Sequence, residues 1–194
     1  MHSAMVDEVL AFWFGAPDDT GYGKPRQAWF RKDDGFDAQI RARFLGEVEA
    51  AIAGQRNDRA DGPRGALALL ILLDQFPRNL FRNDARAFSG DALALELAGR
   101  AVEQGWDRDC LPVQRAFVYL PFEHSEALAN QERSIALFTA LGAEHPELAP
   151  YVDFAHRHHE VIVRFGRFPH RNAALGRPST AAELDYLAQP GSGF

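Results

Sequence analysis

The residues best suited to chemistry in this sequence are concentrated near its C-terminus. The stretch from 164 to 177 contains no acidic residue, and its basic side chains are Arg164, Arg167, His170, Arg171 and Arg177. Guanidinium groups bind carboxylates and phosphates through paired hydrogen bonds. The whole chain carries 27 acidic residues against 21 lysines and arginines. This basic stretch therefore predicts either a site for a small anion or internal pairing with acids elsewhere in the fold.

An isolated carboxylate, Asp74, lies on the most apolar segment of the chain. It follows Leu67 and Ile71 at helical spacing, so it is predicted to share their inward face. A carboxylate buried without a partner is strongly destabilising, and Arg78 is one helical turn further on. Asp74 and Arg78 therefore belong either to a site or to a structural ion pair beside Pro77.

Two acids and an imidazole lie together at a predicted helix junction, in Glu123, His124 and Glu126. Ser125 suits the N-cap of the following helix, and an acid in a first turn interacts favourably with the helix dipole. That explains Glu126 without a site. If Glu123 holds one ring nitrogen of His124, the other nitrogen can act as a base or a ligand.

A second histidine, His158, shares an apolar helical stripe with Tyr151, Ala155, Ile162 and Phe165, so it is predicted to point inward. A hydrogen-bonded core histidine is the commoner role at such a position. Metal binding would need at least three ligands, and the chain has no metal-ligand spacing such as His-Glu-x-x-His. We predict no metal. Phosphate-binding loops and dinucleotide fingerprints are also missing from the sequence, so we predict no cofactor.

We expect these groups to meet in one polar pocket that binds a small anionic metabolite, such as a carboxylate or a phosphate ester. The candidate catalytic residues are His124, His158 and Glu123. The candidate ligand-binding residues are Asp74, Arg78, Glu126, Arg167, His170, Arg171 and Asn172. In an enzyme, a histidine would act as general acid or base, and the arginines would stabilise developing negative charge.

Two other functions fit the same residues. One is a non-catalytic helical module that binds a peptide or protein in a groove, and it would expose Trp13, Trp29 or Phe81. The other is a buried ion-pair network that serves stability alone.

The elements that must position these groups are all predicted to be helices. No segment alternates like a strand, so we predict an all-α fold of about eight or nine helices in antiparallel pairs, forming one domain over residues 1–194. The clearest helix has an apolar face made of Phe36, Ile40, Phe44, Val48 and Ile52. Thr180 and Glu183 form a capping box before a last short helix.

Proline and glycine set three of the predicted helix ends. Pro77 predicts a break near Phe76, because its ring clashes with the carbonyl four residues earlier. Pro121 is predicted to end the helix that begins at Pro112. Gly142 is predicted to end a helix spanning 125–141.

Composition excludes several classes of partner. The fractions of hydrophobic (46%) and charged (25%) residues are ordinary for a globular protein, and a net charge of -6 argues against nucleic-acid binding. The apolar run from Ala66 to Leu73 is far shorter than the roughly 20 residues that span a bilayer. The N-terminal residues do not resemble a signal peptide, and the single cysteine excludes an internal disulfide. We expect a cytoplasmic protein without a membrane partner, and we leave open a protein partner or a homo-oligomer.

These motifs together resemble an uncharacterised bacterial family called domain of unknown function 924. The resemblance covers essentially the full chain, and its most specific stretches are Phe-Trp-Phe-Gly at 12–15, Leu-Leu-Asp-Gln-Phe-Pro-Arg-Asn at 72–79, Phe-Glu-His-Ser-Glu at 122–126 and Arg-Phe-Gly-Arg-Phe-Pro-His-Arg-Asn at 164–172. The family's pattern also includes a histidine that corresponds to His158. The resemblance implies a tetratricopeptide-like helical fold with no assigned activity. By fold analogy it implies peptide or protein binding.

Overall fold

The computed structural model describes residues 4–193, and every regular element in that range is helical. The α-helices are α1 (Ala4–Phe14), α2 (Asp34–Ile52), α3 (Pro63–Leu70), α4 (Phe76–Leu80), α5 (Asp91–Glu103), α6 (Pro112–Glu123), α7 (Leu128–Glu144), α8 (Pro150–Phe165) and α9 (Ala181–Leu187). A π turn, Ile71–Gln75, joins α3 to α4. Short 3-10 turns occupy several of the other connections. The prediction of an all-α fold is confirmed.

Helices that follow one another along the chain pack side by side. In the C-terminal half, α7 packs against both α6 and α8, and their short connections make these neighbours antiparallel. In the N-terminal half, α3 and the π turn pack against α1 and α5. Within residues 4–193, no helix combines the length and the apolar character needed to cross a lipid bilayer.

An aromatic cluster around Trp13 forms the centre of the core. The Trp13 ring stacks on Trp29 with centroids 6.1 Å apart and meets Phe76 and Phe117 edge-on at 5.6 and 5.8 Å. Phe81 is buried as well. The expectation that Trp13, Trp29 or Phe81 lines an exposed groove is therefore wrong, because these large rings gain more free energy by burial in the core.

The helix break predicted at Phe76 does not occur. Instead the chain widens into the π turn, in which the Phe76 N–H donates to the carbonyl of Ile71, and α4 follows directly with Pro77 in its first turn. Proline has no N–H and clashes with the carbonyl four residues earlier in an α-helix, here that of Leu73. The wider turn removes this conflict, so the helical path continues through the proline.

Two other predicted boundaries are also wrong. Helix α6 runs through Pro121 to Glu123, because its C-terminal half is buried and packing outweighs the roughly 3 kcal/mol cost of an internal proline. Helix α7 continues past Gly142 to Glu144, and it begins at Leu128 with Ala127, not Ser125, at the N-cap. Glu126 therefore precedes α7 and is not a first-turn acid.

The segment after α8 is anchored by a second, smaller apolar cluster. Gly166 ends α8 in the left-handed region at φ 69°, a conformation that glycine adopts without steric cost. Phe168 is then fully buried against Val161 and Ile162 of α8. The predicted capping box is confirmed, with Thr180 and Glu183 exchanging side-chain-to-backbone hydrogen bonds at the start of α9. These contacts anchor the segment between α8 and α9.

Candidate functional site

Asp74 and His124 form a carboxylate–imidazole pair between the π turn and the end of α6. Oδ1 of Asp74 lies 2.7 Å from Nδ1 of His124, and Oδ2 accepts a hydrogen bond from Nε2 of Gln75 at 2.5 Å. The Asp74 side chain is 1% exposed, whereas that of His124 is 15% exposed. The sequence leaves Glu123 and Asp74 open as carboxyl partners of the two histidines. In the structure Asp74 contacts His124, and the Glu123 carboxyl lies beside His158 on α8.

Arginine surrounds this pair from two elements. Nη1 of Arg78 lies 3.1 Å from Oδ1 of Asp74 and donates to the Asp74 carbonyl at 2.6 Å, so the predicted pairing is present. Arg78 also binds both oxygens of Asp91 at 2.9 and 3.1 Å. Arg171 shares that carboxylate through Nη1 at 3.2 Å, and its Nη2 donates to the His124 carbonyl at 2.9 Å.

The Arg171 side chain is held between two aromatic rings. Its guanidinium carbon lies 4.7 Å from the ring centroid of Phe88 and 4.6 Å from that of Phe168. Nε of Arg171 is buried and has no hydrogen-bond acceptor among residues 4–193. Burial, and next the nearby charge of Arg78, lower the pKa of Arg171 to about 10. The group therefore stays cationic at neutral pH while keeping an unused donor.

The protonation states of the pair follow from its surroundings. Burial alone would raise the pKa of Asp74, but the charge of Arg78 and the hydrogen bonds from His124 and Gln75 outweigh it and hold that pKa well below its usual range. Burial lowers the pKa of His124, against the opposing pull of Asp74. An ionised carboxylate thus orients an imidazole that is neutral and can accept a proton.

A second carboxyl–imidazole pair, Glu123 and His158, lies beside the first. Nδ1 of His158 donates to the carbonyl of Phe154 at 2.8 Å and lies 3.3 Å from Oε1 of Glu123. The rings of His158 and His124 have centroids 6.3 Å apart. Burial and then the charge of Asp74 raise the pKa of Glu123 to about 8. Burial, followed by the charge of His124, lowers the pKa of His158 to about 3. Both members of this pair are therefore neutral near pH 7.

Glu126 and Arg177 close the polar cluster on the side of the basic stretch. Arg177 donates to both Glu126 oxygens at 2.7 and 2.9 Å, and Glu126 also accepts from the N–H of Phe168 at 2.8 Å. Arg177 donates further to the Phe168 carbonyl and to Oδ1 of Asn172, each at 3.0 Å. Glu126 and Asn172 therefore hold the backbone of the basic stretch in place.

The remaining two candidates lie on either side of Phe168. Arg167 binds Glu183 of α9 at 2.6 and 2.8 Å and lines an open pocket of about 530 Å³ together with Arg164 and Phe165. His170 lies with its ring centroid 5.6 Å from that of Phe168, and burial, then the charge of Arg171, lower its pKa to about 4.

The ten candidate residues thus form adjacent groups, of which Arg167 pairs with Glu183 of α9 and lines the open pocket, while Arg78 and Arg171 share Asp91. Contacts of Asp74 with His124 and Arg78, and of Arg171 with the His124 carbonyl, link these four residues, which we call the Asp–His–Arg cluster. Among residues 4–193, no group of three or more His, Cys, Asp and Glu side chains has an arrangement that could hold a metal ion.

Sequence reasoning missed three residues that contact the cluster: Gln75, Phe88 and Asp91. Asp91 follows Gly90 at the start of α5, where it reads as an ordinary first-turn acid. Gln75 directly follows Asp74 in an apolar segment, and its polar side chain at an inward position was the one available signal. Phe88 carried no such signal in the sequence, because its contact with Arg171 depends on how distant elements pack.

A family model described as "Bacterial protein of unknown function (DUF924)" matches residues 9–191, and the chain belongs to this family. It is similar to the solved structure of a protein of unknown function, ATU0120, from Agrobacterium tumefaciens. The two chains are 37% identical with a TM-score of 0.83, over 95% of this chain and 97% of that one. No curated protein matches the chain.

Proposed function

We propose that the Asp–His–Arg cluster binds a small anionic molecule and that His124 acts there as a general acid–base group. The observation that carries the proposal is the 2.7 Å contact between Asp74 and His124, next to an arginine with an unused buried donor. A carboxylate that holds one imidazole nitrogen leaves the other free to exchange a proton with a bound molecule.

The case for an anion rests on the two arginines. Asp91 already acts as an internal carboxylate ligand, bound by Arg78 through two hydrogen bonds and by Arg171 through one. The pair is therefore spaced to hold a carboxylate or phosphate group. Nε of Arg171 has no acceptor among residues 4–193, and a buried donor in that state gains free energy when an anionic oxygen reaches it. A small carboxylate or phosphate ester fits these donors.

The case for His124 as the base rests on access and protonation. Its side chain is 15% exposed and its Nδ1 is held by Asp74, while burial favours the neutral ring. His158 is less suitable, since its side chain is 6% exposed and its Nδ1 is tied to the carbonyl of Phe154. We therefore assign proton transfer to His124, with Asp74 as the positioning residue and Arg171 facing the developing negative charge.

The test is a thermal-shift screen of the full chain against small carboxylates and phosphate monoesters. We expect a subset to raise Tm, because a ligand at 100 times its Kd stabilises the native state by about 2.7 kcal/mol. Arg171→Lys keeps the charge but loses the planar fork, so it should abolish the shift, whereas Arg164→Lys at an exposed position should retain it. A panel without hits, or hits that Arg171→Lys leaves unchanged, would contradict the proposal.

Catalysis is tested separately, once a hit is known. His124→Gln should still bind the anion but should no longer convert it, as followed by NMR of the ligand. His156→Gln is the matched control, because His156 is an exposed histidine on α8. Equal conversion by His124→Gln and the wild type would remove His124 from the reaction.

A structural network is the second candidate, and a specific observation favours it. The pairs Glu126–Arg177 and Arg167–Glu183 are each closed by two hydrogen bonds and have further backbone partners. If the whole cluster serves stability alone, Arg171→Ala should lower Tm sharply and no anion should stabilise the wild type. Anion-dependent stabilisation that Arg171→Ala abolishes would favour the binding site.

The fold group and the cellular location are also proposals. We place the fold in the tetratricopeptide-like group and the protein in the cytoplasm. The successive packing of α6, α7 and α8 supports the first assignment.

The assignment to the cytoplasm rests on the cysteine content. A single cysteine, Cys110, suits a reducing compartment, and burial raises its pKa to about 12, so the thiol is unreactive. Fractionation of cells that express the tagged chain checks the location.

A further inference from the structure

The seam between α6, α7 and α8 contains buried polar atoms that the Asp–His–Arg cluster does not use. Four side-chain atoms there are buried without a hydrogen-bond partner among residues 4–193: Glu123 Oε2, Gln131 Oε1, Ser134 Oγ and Tyr151 OH. Glu123 is 3% exposed, and both Gln131 and Ser134 are 0% exposed. Buried polar groups in proteins are nearly always hydrogen-bonded, either to protein or to ordered water.

Contacts made by other atoms of these residues place the residues along one seam. Nε2 of Gln131 donates to the carbonyls of Glu123 and Ser125, each at 2.6 Å, at the end of α6. Ser134 is one helical turn further along α7, and Phe138 follows it by another turn. Phe138 stacks on Tyr151 of α8 with ring centroids 5.8 Å apart. Ser134 therefore lies between the carboxyl end of α6 and the first turns of α8.

Glu123 and Tyr151 are also close enough to influence each other. After burial, the charge of Glu123 is the next cause that raises the pKa of Tyr151, to about 12. Oε2 of Glu123 and the hydroxyl of Tyr151 are both buried, on helices that pack against α7 and against each other.

We propose that this seam is a hydration site, in which ordered water bridges Glu123 Oε2, Ser134 Oγ and Tyr151 OH, with Gln131 Oε1 as a further acceptor. The site is distinct from the Asp–His–Arg cluster and does not depend on the proposed function. Internal water typically makes two to four hydrogen bonds to buried groups that would otherwise lack partners, and this seam offers such a set.

The chemistry of the four atoms selects water over other occupants. Two are hydroxyls, which both donate and accept, and one is an amide oxygen, which accepts. Oε1 of Glu123 lies 3.3 Å from Nδ1 of His158, whereas Oε2 has no hydrogen-bond partner among residues 4–193. Within the described range 4–193, no arginine or lysine hydrogen-bonds to these atoms, so the seam offers no positive charge for an anion. The near-zero exposure of Gln131 and Ser134 excludes a ligand that must reach solvent.

A high-resolution crystal structure of the full chain tests the proposal directly. We expect solvent density within hydrogen-bonding distance of at least two of the four atoms. Empty density, direct bonding of the side chains to one another, or density for a larger molecule would each overturn it.

Substitution gives an independent test, because removal of the Tyr151 hydroxyl should change Tm in opposite directions when the seam holds water and when it does not. If water satisfies Tyr151, Tyr151→Phe breaks a hydrogen bond and lowers Tm. If the hydroxyl is unsatisfied, the same change removes a destabilising group and raises Tm. Tyr186→Phe on α9, where the ring is only partly buried, is the matched control and should shift Tm less. A rise in Tm for Tyr151→Phe beyond that control would overturn the proposal.

Discussion

Gly90 lies directly against the carbonyl oxygen of Leu73, at the point where the start of α5 meets the π turn. A Cβ added at Gly90 would stand 2.2 Å from that oxygen, which is far inside van der Waals contact. Only glycine permits this approach. The next residue, Asp91, then reaches both Arg78 and Arg171. The position of one glycine thus decides whether the two arginines share a carboxylate.

Gly90→Ala should therefore destabilise the protein and disturb the cluster together. The added methyl group must push α5 away from the π turn, and overpacking of this kind costs typically about 1–3 kcal/mol. Urea unfolding measures the loss. Gly99→Ala in the same helix is the control, because nothing lies within 4 Å of a Cβ there. It should stabilise the chain by about 0.5–1 kcal/mol through reduced backbone entropy. Similar effects of the two changes would contradict the proposed close approach.

Asp74→Asn should be among the more destabilising single changes in the chain. The variant removes a buried negative charge that faces Arg78 and orients His124, and breaking a buried ion pair costs about 3–5 kcal/mol. Chemical denaturation checks the value. Asp153→Asn on the exposed first turn of α8 is the control, with an expected loss of about 1 kcal/mol or less. Equal losses would mean that Asp74 is not paired as described.

Glu123→Gln should remove a pH dependence of stability. The folded pKa of Glu123 is raised from its ordinary value of 4.5 to about 8, so between these pH values the native state binds a proton that the unfolded state releases. The stability due to Glu123 is full below pH 4.5 and is lost as the pH rises to about 8. For one proton, the slope reaches at most about 1.4 kcal/mol per pH unit.

The clearest window for that measurement is pH 6.5 to 8. Below 6.5, the depressed pKa values of His158 and His170 act in the opposite direction, because their neutral native forms favour unfolding as the pH falls. Free energies of unfolding for wild type, Glu123→Gln and the exposed control Glu160→Gln should be compared at both ends of the window. A wild-type slope that Glu123→Gln retains would show that Glu123 is already ionised.

Arg177→Met should loosen the basic stretch without removing any side chain of the Asp–His–Arg cluster. Arg177 donates hydrogen bonds to both oxygens of Glu126 and to the Phe168 carbonyl. Hydrogen bonds to charged groups contribute about 1.5–3 kcal/mol each to stability. We expect faster limited proteolysis within residues 166–193. Arg164→Met at an exposed position should leave the rate unchanged. Unaltered proteolysis of Arg177→Met would show that the buried Phe168 ring and its N–H bond to Glu126 are sufficient to anchor the segment.

Local patterns in the sequence were sufficient for the helices and for contacts within one helix. Apolar spacing predicts α2 and α8, the Thr180–Glu183 box predicts the start of α9, and the four-residue step predicts the pairing of Asp74 with Arg78. Each of these depends on neighbours within one or two turns. The identity of the ionisable partners could be anticipated only at that range.

Contacts between distant segments could not be predicted in the same way. Arg171 and Asp91 are 80 residues apart, and their meeting depends on the path that Gly90 gives to α5. The pairing of His124 with Asp74 and of Glu123 with His158 depends on the orientation of α6 about its axis between the π turn and α8. Neither the spacing of residues in the sequence nor their helix propensity predicts that orientation. The persistence of helix through Pro77 and Pro121 likewise reflects tertiary packing that outweighs a local penalty.

The π turn also has a consequence for how this family tolerates insertions and deletions. Each residue of an α-helix advances the side-chain direction by about 100°, and a π turn holds one more residue than an α turn. Loss of one residue within Ile71–Gln75 would thus close the π turn to an α turn, and Phe76 and Leu80 would keep nearly the same direction relative to α3. The cost of such a deletion would fall on Pro77, because an α turn brings its ring against the carbonyl four residues earlier. A one-residue deletion in the π turn should accordingly be tolerated better than one elsewhere in 63–80, where it would rotate the following apolar side chains away from the core.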